Sequence, residues 1–430
     1  MSGKDKLLRL VKAIKDTSDD LGIDPRHVTK KKILECTDLS EWEVRAVGGL
    51  KSVIDTYFPA QDKDLKGAQE LKDYKKYVTK LEKQVGEKEY FFETIEKAIL
   101  QRVQPIKLKP YKFNNLKDKN PIRREMVGCI NDSHYGLSVD PEEVGGVNSY
   151  GWTEACRRTA FFTKELVEYK PSVRDQVEKL HLILNGDLIS GFIHNFTGRD
   201  NDLVAIQMNG ALHILTHAIA RLGENYKQIE VYGISGNHED MPHRREGGGR
   251  VMSQKYDSWA NILFFALSTA FKDSPRIKFN FPKTPYAMID TIGGRIMAVH
   301  GDTVFSSQIG NPGNTLNIKG LSDAINRFNA GEMRKGNPPI KMVIIGHTHV
   351  EVSFTTFDNI KVYNAPSLSG IDAYAMNLGI NSNLVGQIMF ETTEKDIFGD
   401  SRLIKVDRGD SLKELDKIIP IYKRNLKWDK

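Results

Sequence analysis

The chain has 430 residues, of which 40% are hydrophobic and 27% are charged, as is usual for a soluble globular protein. It has a polar, basic start and no run of about 18 apolar residues, so we expect no secretory signal, no transmembrane helix and no membrane partner. The net charge of +6 slightly favours phosphate-bearing partners. The scattered cysteines, Cys36, Cys129 and Cys156, argue against a disulfide framework and favour a reducing, cytoplasmic setting.

Residues 1–60 are predicted to form a small helical domain. Apolar residues recur at helical spacing over 7–14, and a second helix is predicted over 29–36. The Asp-Leu-Ser-Glu sequence at 38–41 has the pattern of a helix start, and the glycine pair at 48–49 that of a helix end. A third helix is therefore expected between them.

Residues 65–102 are strongly charged, but their apolar residues recur at alternating three- and four-residue steps. This pattern predicts a long helix with a coiled-coil seam, through which copies of the chain would form a homo-oligomer. A long helix packed on the protein's own surface is the alternative. Residues 103–124, which contain Pro105 and Pro110, are predicted to be a linker.

Residues 125–405 alternate short apolar runs with amphipathic segments. The runs are 126–130, 182–184, 229–234, 296–299, 342–345 and 360–363. Such runs are typical of the buried strands of an α/β protein, whose active sites lie at the carboxyl ends of the strands. The remaining residues, 406–430, form a basic tail.

Polar clusters follow the first five of these runs. They are Asp132-Ser133-His134, Gly186-Asp187, Gly236-Asn237-His238-Glu239, His300-Gly301-Asp302 and Gly346-His347-Thr348-His349. Carboxylate and imidazole groups without a thiolate suit Mn²⁺, Zn²⁺, iron or Co²⁺ in a site that is not a structural zinc site. Asp132 and His134, two residues apart, can bind one ion from the same side of an extended chain. Asp187 can bridge two ions with its two carboxylate oxygens.

The order of these motifs, D-x-H, G-D, G-N-H-[DE], H-G and G-H-x-H, resembles that of the calcineurin-like metallophosphoesterase superfamily. The resemblance covers residues 125–370 and includes all five motifs, each behind a predicted strand. It implies an α/β fold for residues 125–405, a four-layer α-β-β-α sandwich with helices on both outer faces.

The resemblance also implies a role for each residue of the motifs. One metal ion would be held by Asp132, His134, Asp187 and His349, and the other by Asp187, Asn237, His300 and His347. His238 would be the catalytic residue, which faces the substrate and protonates the leaving oxygen or stabilises the transition state. Glu239 would orient a ligand or His238. Two divalent ions, with Mn²⁺ favoured, would lie roughly 3.5–4 Å apart and supply a metal-bridging hydroxide that attacks phosphorus.

Two departures from related enzymes narrow the substrate class. The second motif, at 186–191, lacks the Asp-Arg pair of protein phosphatases, and Ser190 stands where purple acid phosphatases carry a tyrosine ligand. The remaining resemblance is to the DNA-repair exonuclease and phage phosphodiesterase branch. Candidate contacts to substrate phosphates are His194, Arg199, Arg244 and Arg245, although a solvated loop is the alternative for the last two.

Residues 22–58 resemble a small helix-turn-helix of the kind attached to homing endonucleases and phage DNA enzymes. Its phosphate contacts would be Lys30, Lys31, Lys32, Arg45 and Lys51, whereas an oligomerisation module is the alternative. We therefore expect a phosphodiesterase, namely a nuclease that acts on DNA in the cytoplasm, or in the host cytoplasm if the protein comes from a phage. The alternatives are a phosphoesterase for a small nucleotide or phosphomonoester, and a DNA-binding scaffold with a vestigial metal site.

Overall fold

The computed structural model describes residues 3–23, 25–37, 39, 44, 50–57, 93–101, 103–108, 123–169, 177, 179–191, 201–241, 255, 258–310, 316–379 and 384–408. The chain divides into two compact units, Met1–Lys97 and Ala98–Lys430. None of the helices in this described part combines the length and the apolar character that a bilayer crossing requires.

The first unit contains short helices around a core of its own. They are α1 (Gly3–Leu21), a 3₁₀ turn (Pro25–His27), α2 (Lys30–Cys36) and α3 (Leu50–Tyr57). The core includes the buried side chains of Leu10, Ile14, Val28, Ile33 and Val53. The Thr29 hydroxyl accepts a hydrogen bond from the N–H of Lys32 and so caps α2. The helices predicted over 7–14 and 29–36 are thus present.

The other predictions for the first unit have mixed outcomes. Only Leu39 and Val44 of the predicted third helix are described, and α3 was not predicted. Its β-branched residues have low helix propensity, but Val53 and Ile54 are buried in the core, and this packing outweighs propensity. In the predicted coiled coil, residues 93–101 are helical and residues 65–92 lie outside the described part, so self-association stays a prediction.

The strands of the second unit form two sheets. In chain order they are β1 (Arg124–Ile130), β2 (Lys179–Asn185), β3 (Gln228–Ile234), β4 (Ile277–Asn280), β5 (Tyr286–Thr291), β6 (Gly294–Val299), β7 (Ile340–Ile345), β8 (Val352–Thr355), β9 (Lys361–Asn364), β10 (Gln387–Thr393) and β11 (Ser401–Ile404). The six-stranded sheet has the order β11-β10-β1-β2-β3-β4, and the five-stranded sheet has the order β5-β6-β7-β9-β8. The strands from β1 to β4 are parallel, as are β6, β7 and β9.

Helices cover the outer face of each sheet. They are α4 (Trp152–Glu168), α5 (Val204–Gly223), α6 (Trp259–Ala270), α7 (Ser306–Ile309), α8 (Ile318–Arg334) and α9 (Ala373–Asn377), with 3₁₀ turns at Pro141–Val144 and Val406–Arg408. Neighbouring strand residues point to opposite faces, so Met126 packs under α4 and α5 while Val127 packs between the sheets. On the far side, α7 and α8 cover the five-stranded sheet. The predicted four-layer sandwich is confirmed.

Ile183 tests the contribution of the layer between the sheets. It lies on the central strand β2 and is fully buried between the two sheets. Replacement by alanine leaves a cavity between two rigid sheets, so Ile183→Ala is expected to lower the free energy of unfolding by about 2–5 kcal/mol in urea denaturation. Ile318→Ala, at a half-exposed position on α8, is the matched control and should cost less than about 1 kcal/mol. Equal losses in the two variants would contradict this packing.

Candidate metal centre

The predicted ligands all lie in turns that follow the carboxyl ends of strands. Asp132 and His134 follow β1, Asp187 follows β2, Asn237 follows β3, His300 follows β6, and His347 and His349 follow β7. The first three strands belong to the six-stranded sheet and the other two to the five-stranded sheet. Both sheets therefore deliver ligands to one edge of the sandwich.

The backbone of these turns is strained. Seven described residues other than glycine have a positive φ angle, and five of the seven are predicted ligands. These five are Asp132 (49°), His134 (45°), Asp187 (47°), His347 (70°) and His349 (60°). A residue in this left-handed region costs roughly 1–3 kcal/mol, and such strain concentrates at functional sites. The strain marks this edge of the sandwich as a functional site.

Asp132, His134 and His349 form the first cluster of ligand groups, with one ligand atom from each residue within 4.8 Å of the others. His349 Nε2 lies 3.4 Å from Asp132 Oδ1 and 3.2 Å from His134 Nε2. Two imidazole nitrogens that face each other so closely beside a carboxylate oxygen are arranged as they would be around a shared cation. The structure thus brings together three of the four residues that were predicted for the first ion.

Asp187, His300 and His347 form the second cluster, again with ligand atoms within 4.8 Å of one another. His300 Nε2 lies 3.1 Å from Asp187 Oδ2 and 3.3 Å from the amide oxygen Oδ1 of Asn237. The rings of His300 and His347 have centroids 5.2 Å apart. All four residues that were predicted for the second ion therefore lie side by side.

Asp187 belongs to the second cluster and also faces the first. Its Oδ2 is 3.1 Å from His300 Nε2 in the second cluster and 3.9 Å from His134 Nε2 in the first. Its Oδ1 accepts the backbone N–H of His238 at 2.9 Å. The geometry therefore presents one oxygen, Oδ2, to both clusters, which differs from the expectation of one oxygen for each ion.

Burial and the neighbouring charges suit the site to cations. Burial raises the pKa of Asp132 and Asp187, but the imidazoles of His349 and His300 outweigh it and hold both pKa values below the ordinary range. Burial lowers the pKa of His300, but the charge of Asp187 outweighs it and raises that pKa to about 10, and the charge of Asp132 likewise raises the pKa of His349. Burial lowers the pKa of His347 to about 4, which keeps that ring neutral. A bound metal would displace the protons of His300 and His349. Ionised carboxylates and neutral imidazoles are the forms that bind divalent metals. The donor set therefore fits a pair of divalent cations.

His238 forms a third group of ligand atoms with His134 and Asp187, again within 4.8 Å of one another, and its side chain is 13% exposed. Its Nδ1–H donates a hydrogen bond to the carbonyl oxygen of Ser190 at 2.7 Å, which directs Nε2 toward Asp187 Oδ2, 3.8 Å away. The ring also meets that of His134 edge to face, with centroids 4.5 Å apart. These distances are compatible with a role as a proton donor and with a role as a further ligand.

Glu239 is fully buried and acts on the backbone of the ligand turns. Its Oε2 accepts the N–H groups of Asp187 at 3.1 Å and Gly236 at 2.7 Å, and its Oε1 accepts those of Leu188 and Ile189. Burial and the charge of Asp187 raise the pKa of Glu239 to about 8, whereas the N–H donors favour the ionised form. Cations bound beside Asp187 would offset the negative charge of Asp187 and so favour the ionised form of Glu239. Glu239 thus contacts the ligand turns through backbone hydrogen bonds, and its orienting role stays a prediction.

Two asparagines that were not predicted support the ligands. Asn131 donates from Nδ2 to Asp132 Oδ2 at 2.7 Å. The backbone carbonyl of Asn185 accepts from Nδ1 of His300 at 2.9 Å, so that Nε2 of this ring faces the ligands. In the sequence, only their positions directly before the first and second motifs indicated that these asparagines support the ligands.

The predicted substrate contacts cannot be placed in the site. His194, Arg199, Arg244 and Arg245 lie outside the described residues. They stay predictions.

Replacement of Glu239 by glutamine tests its hold on the two turns. In glutamine an NH₂ group replaces one of the two carboxylate oxygens. This group is a donor, so it would face backbone N–H donors without forming hydrogen bonds to them. Glu239→Gln is therefore expected to lower the free energy of unfolding by about 2–5 kcal/mol in urea denaturation. Glu394→Gln, whose side chain is 67% exposed, is the control and should change it by less than about 0.5 kcal/mol. If Glu239→Gln unfolds with the same free energy as the wild type, Glu239 does not stabilise the two turns.

Among the comparisons with known proteins, a family model identifies the family of the chain. The model of the calcineurin-like phosphoesterase family matches residues 126–351. A search of curated proteins found no match. Among solved structures, the chain is similar to an archaeal phosphodiesterase (14% identity, 65% of this chain and 98% of that chain, TM-score 0.29) and to a dimetal phosphatase from Danio rerio (9% identity, 67% and 100%, TM-score 0.33). The chain belongs to the calcineurin-like phosphoesterase family.

Proposed function

We propose that this chain is a dinuclear-metal phosphodiesterase that hydrolyses nucleic acid, with DNA favoured, in the cytoplasm. Membership of the family supports a metal-dependent phosphoester hydrolase. The observation that carries the proposal is the pair of ligand clusters, with Asp187 of the second cluster facing the first and with His238 in contact range of both Asp187 and His134. A pair of adjacent cations is the arrangement that enzymes use for in-line displacement at phosphorus.

The metal ions would be held by the residues of the two clusters. Asp132, His134 and His349 would hold one ion, Asn237, His300 and His347 would hold the other, and Asp187 would contribute to both. When bound, the pair supplies an activated water and neutralises charge on the phosphoryl oxygens. We propose Mn²⁺, because carboxylate, amide and imidazole donors without a thiolate suit it.

His238 would donate the proton that the leaving oxygen needs. A protonated ring carries hydrogen on both nitrogens, and Nδ1–H stays bonded to the carbonyl of Ser190 throughout. Transfer of the proton from Nε2 then leaves a neutral ring in the tautomer that this carbonyl already selects. The ring therefore needs no rotation between its two protonation states.

Nucleic acid is favoured as the substrate by two features of the chain. The protein-phosphatase Asp-Arg pair and the purple-acid-phosphatase tyrosine are both missing from the second motif. In the first unit, Lys31 and Lys32 are exposed on α2, where they are able to contact phosphates. The alternative substrate is a small nucleotide or phosphomonoester, for which the first unit would serve only assembly.

Variants of Asp187 and His238 test the chemistry. With Mn²⁺, wild-type protein should cleave both a chromogenic phosphodiester and end-labelled DNA, whereas Asp187→Asn should cleave neither because the shared ligand is lost. His238→Ala should keep two metal ions and lose roughly 10²–10⁴-fold in rate, as expected for a missing general acid. His213→Ala, on α5 and outside the clusters, is the control. Loss of metal from His238→Ala would show that His238 is a ligand.

Lysines of α2 test the nucleic-acid partner. The triple variant Lys30→Ala, Lys31→Ala and Lys32→Ala should bind DNA more weakly, and the slope of log K against log salt should fall by up to about three, because each lost phosphate contact removes about 0.9. Hydrolysis of the chromogenic diester should not change. The control triple variant replaces the exposed Lys272, Lys278 and Lys335 of the second unit by alanine. Equal salt slopes in both triple variants would exclude α2 from DNA binding and favour the small-substrate alternative.

A further inference from the structure

Lys255 has an almost fully buried ammonium group beside the metal centre, with 7% of its side chain exposed. Its Nζ lies 2.5 Å from Asp302 Oδ2, 2.7 Å from the carbonyl oxygen of Gly236, and 3.5 Å from Asp240 Oδ1. Burial lowers the pKa of Lys255, but the carboxylates of Asp302 and Asp240 outweigh it and keep the group charged. One cation thus faces three acceptors, which match its three N–H donors.

The acceptors belong to two turns from different sheets. Gly236 and Asp240 flank Asn237 in the turn after β3 of the six-stranded sheet. Asp302 follows His300 by two residues in the turn after β6 of the five-stranded sheet. Asn237 and His300 are the two predicted ligands of the second ion that these turns carry, and Asn237 Oδ1 lies 3.3 Å from His300 Nε2. Lys255 therefore links the turns at the place where the two sheets meet around one predicted ion.

The turn that carries Asn237 is held from two sides. Glu239 accepts the N–H of Gly236, and Lys255 donates to the carbonyl of the same residue. This carbonyl belongs to the peptide group that joins Gly236 to Asn237. A fixed position of this peptide group determines the position of the Asn237 Cα atom and therefore of its side chain. Among the contacts given above, Lys255 alone connects this peptide group to the turn of His300.

We propose that Lys255 is a positioning residue that holds Asn237 and His300 at the separation one metal ion requires. The proposal rests on the dinuclear site of the proposed function but not on the identity of the substrate. Partners that orient metal ligands in this way typically contribute 10–100-fold to metal affinity.

A purely electrostatic role for Lys255 would have the opposite effect. A positive charge beside a cation site repels the metal, so its removal would strengthen binding if the ligands stayed in place. Its removal would also leave Asp302 and Asp240 without their common cation, which again favours a metal ion. A positioning role predicts weaker binding. The sign of the change in affinity therefore separates the two roles.

The experiment is titration calorimetry with MnCl₂ on the full-length protein. Lys255→Met should weaken one of the two binding events by about 10–100-fold and leave the other unchanged, because Asp132, His134 and His349 are not bonded to Lys255. The double variant Lys255→Met with Asp302→Asn removes one of the unpaired buried carboxylates. It should show the same loss, and it provides the measurement if the single variant does not fold.

Lys179→Met is the matched control. Lys179 is also largely buried and also lies near two carboxylates, those of Glu230 at 3.2 Å and Glu125 at 3.9 Å, but it stands at the opposite end of β2 from Asp187. Both Mn²⁺ binding events should be preserved in this variant.

The possible failures are distinguishable. Wild-type protein that binds fewer than two Mn²⁺ would overturn the dinuclear site, and this inference with it. If Lys255→Met or the double variant shows both Mn²⁺ binding events with unchanged or higher affinity, only the positioning role is overturned. Equal weakening in Lys179→Met would also overturn it, because the loss would then follow from any buried lysine.

Discussion

The ligands of the metal centre depend on the close approach of two strand ends, which Glu239 holds together with its carboxylate. Backbone N–H groups from the turns after β2 and β3 converge on this one side chain. The approach is possible because Gly236 has no side chain, since a Cβ atom there would lie 2.0 Å from Asp187 Oδ1. A carboxylate whose acceptors are all directed at backbone donors is hard to replace by any other group. Glycine and glutamate thus act as a pair in the G-N-H-E motif.

The same hydrogen bonds stabilise turns that are unfavourable on their own. Asp187 has a φ angle of 47°, and its N–H is one of the donors to Glu239. Asp132, at 49°, accepts the N–H of His347, which is itself in the left-handed region at 70°. These three strained residues are therefore bonded to other parts of the centre, and a strained turn is retained only where its surroundings determine it in this way. The strain directs several ligand side chains into one small volume.

The sequence was sufficient to predict the central strands and to place the candidate ligands at their ends, because both leave strong local patterns. Parallel strands that are buried on two faces are continuous apolar runs, and the motifs stand at their ends. β10 was missed although it pairs with β1, since it contains the buried polar residues Gln387, Glu391 and Thr392. Their partners are far away in the chain, as with Arg124 and Glu391, so local patterns do not reveal them. Lys255 was missed for the same reason, because its contacts are made across two sheets.

The structure also bears on whether the metal site is vestigial in a protein that only binds DNA. Each of the five ligand residues in the left-handed region costs roughly 1–3 kcal/mol. The cost of all five together is comparable with the total stability of many domains. Two ionised carboxylates, Asp132 and Asp187, are buried beside imidazoles, and removing such charges from water costs free energy even when partners are present. A scaffold gains nothing from such an arrangement, and relaxation of any one turn would stabilise it. Retention of the whole set is consistent with a centre that still binds metal and acts on phosphoesters.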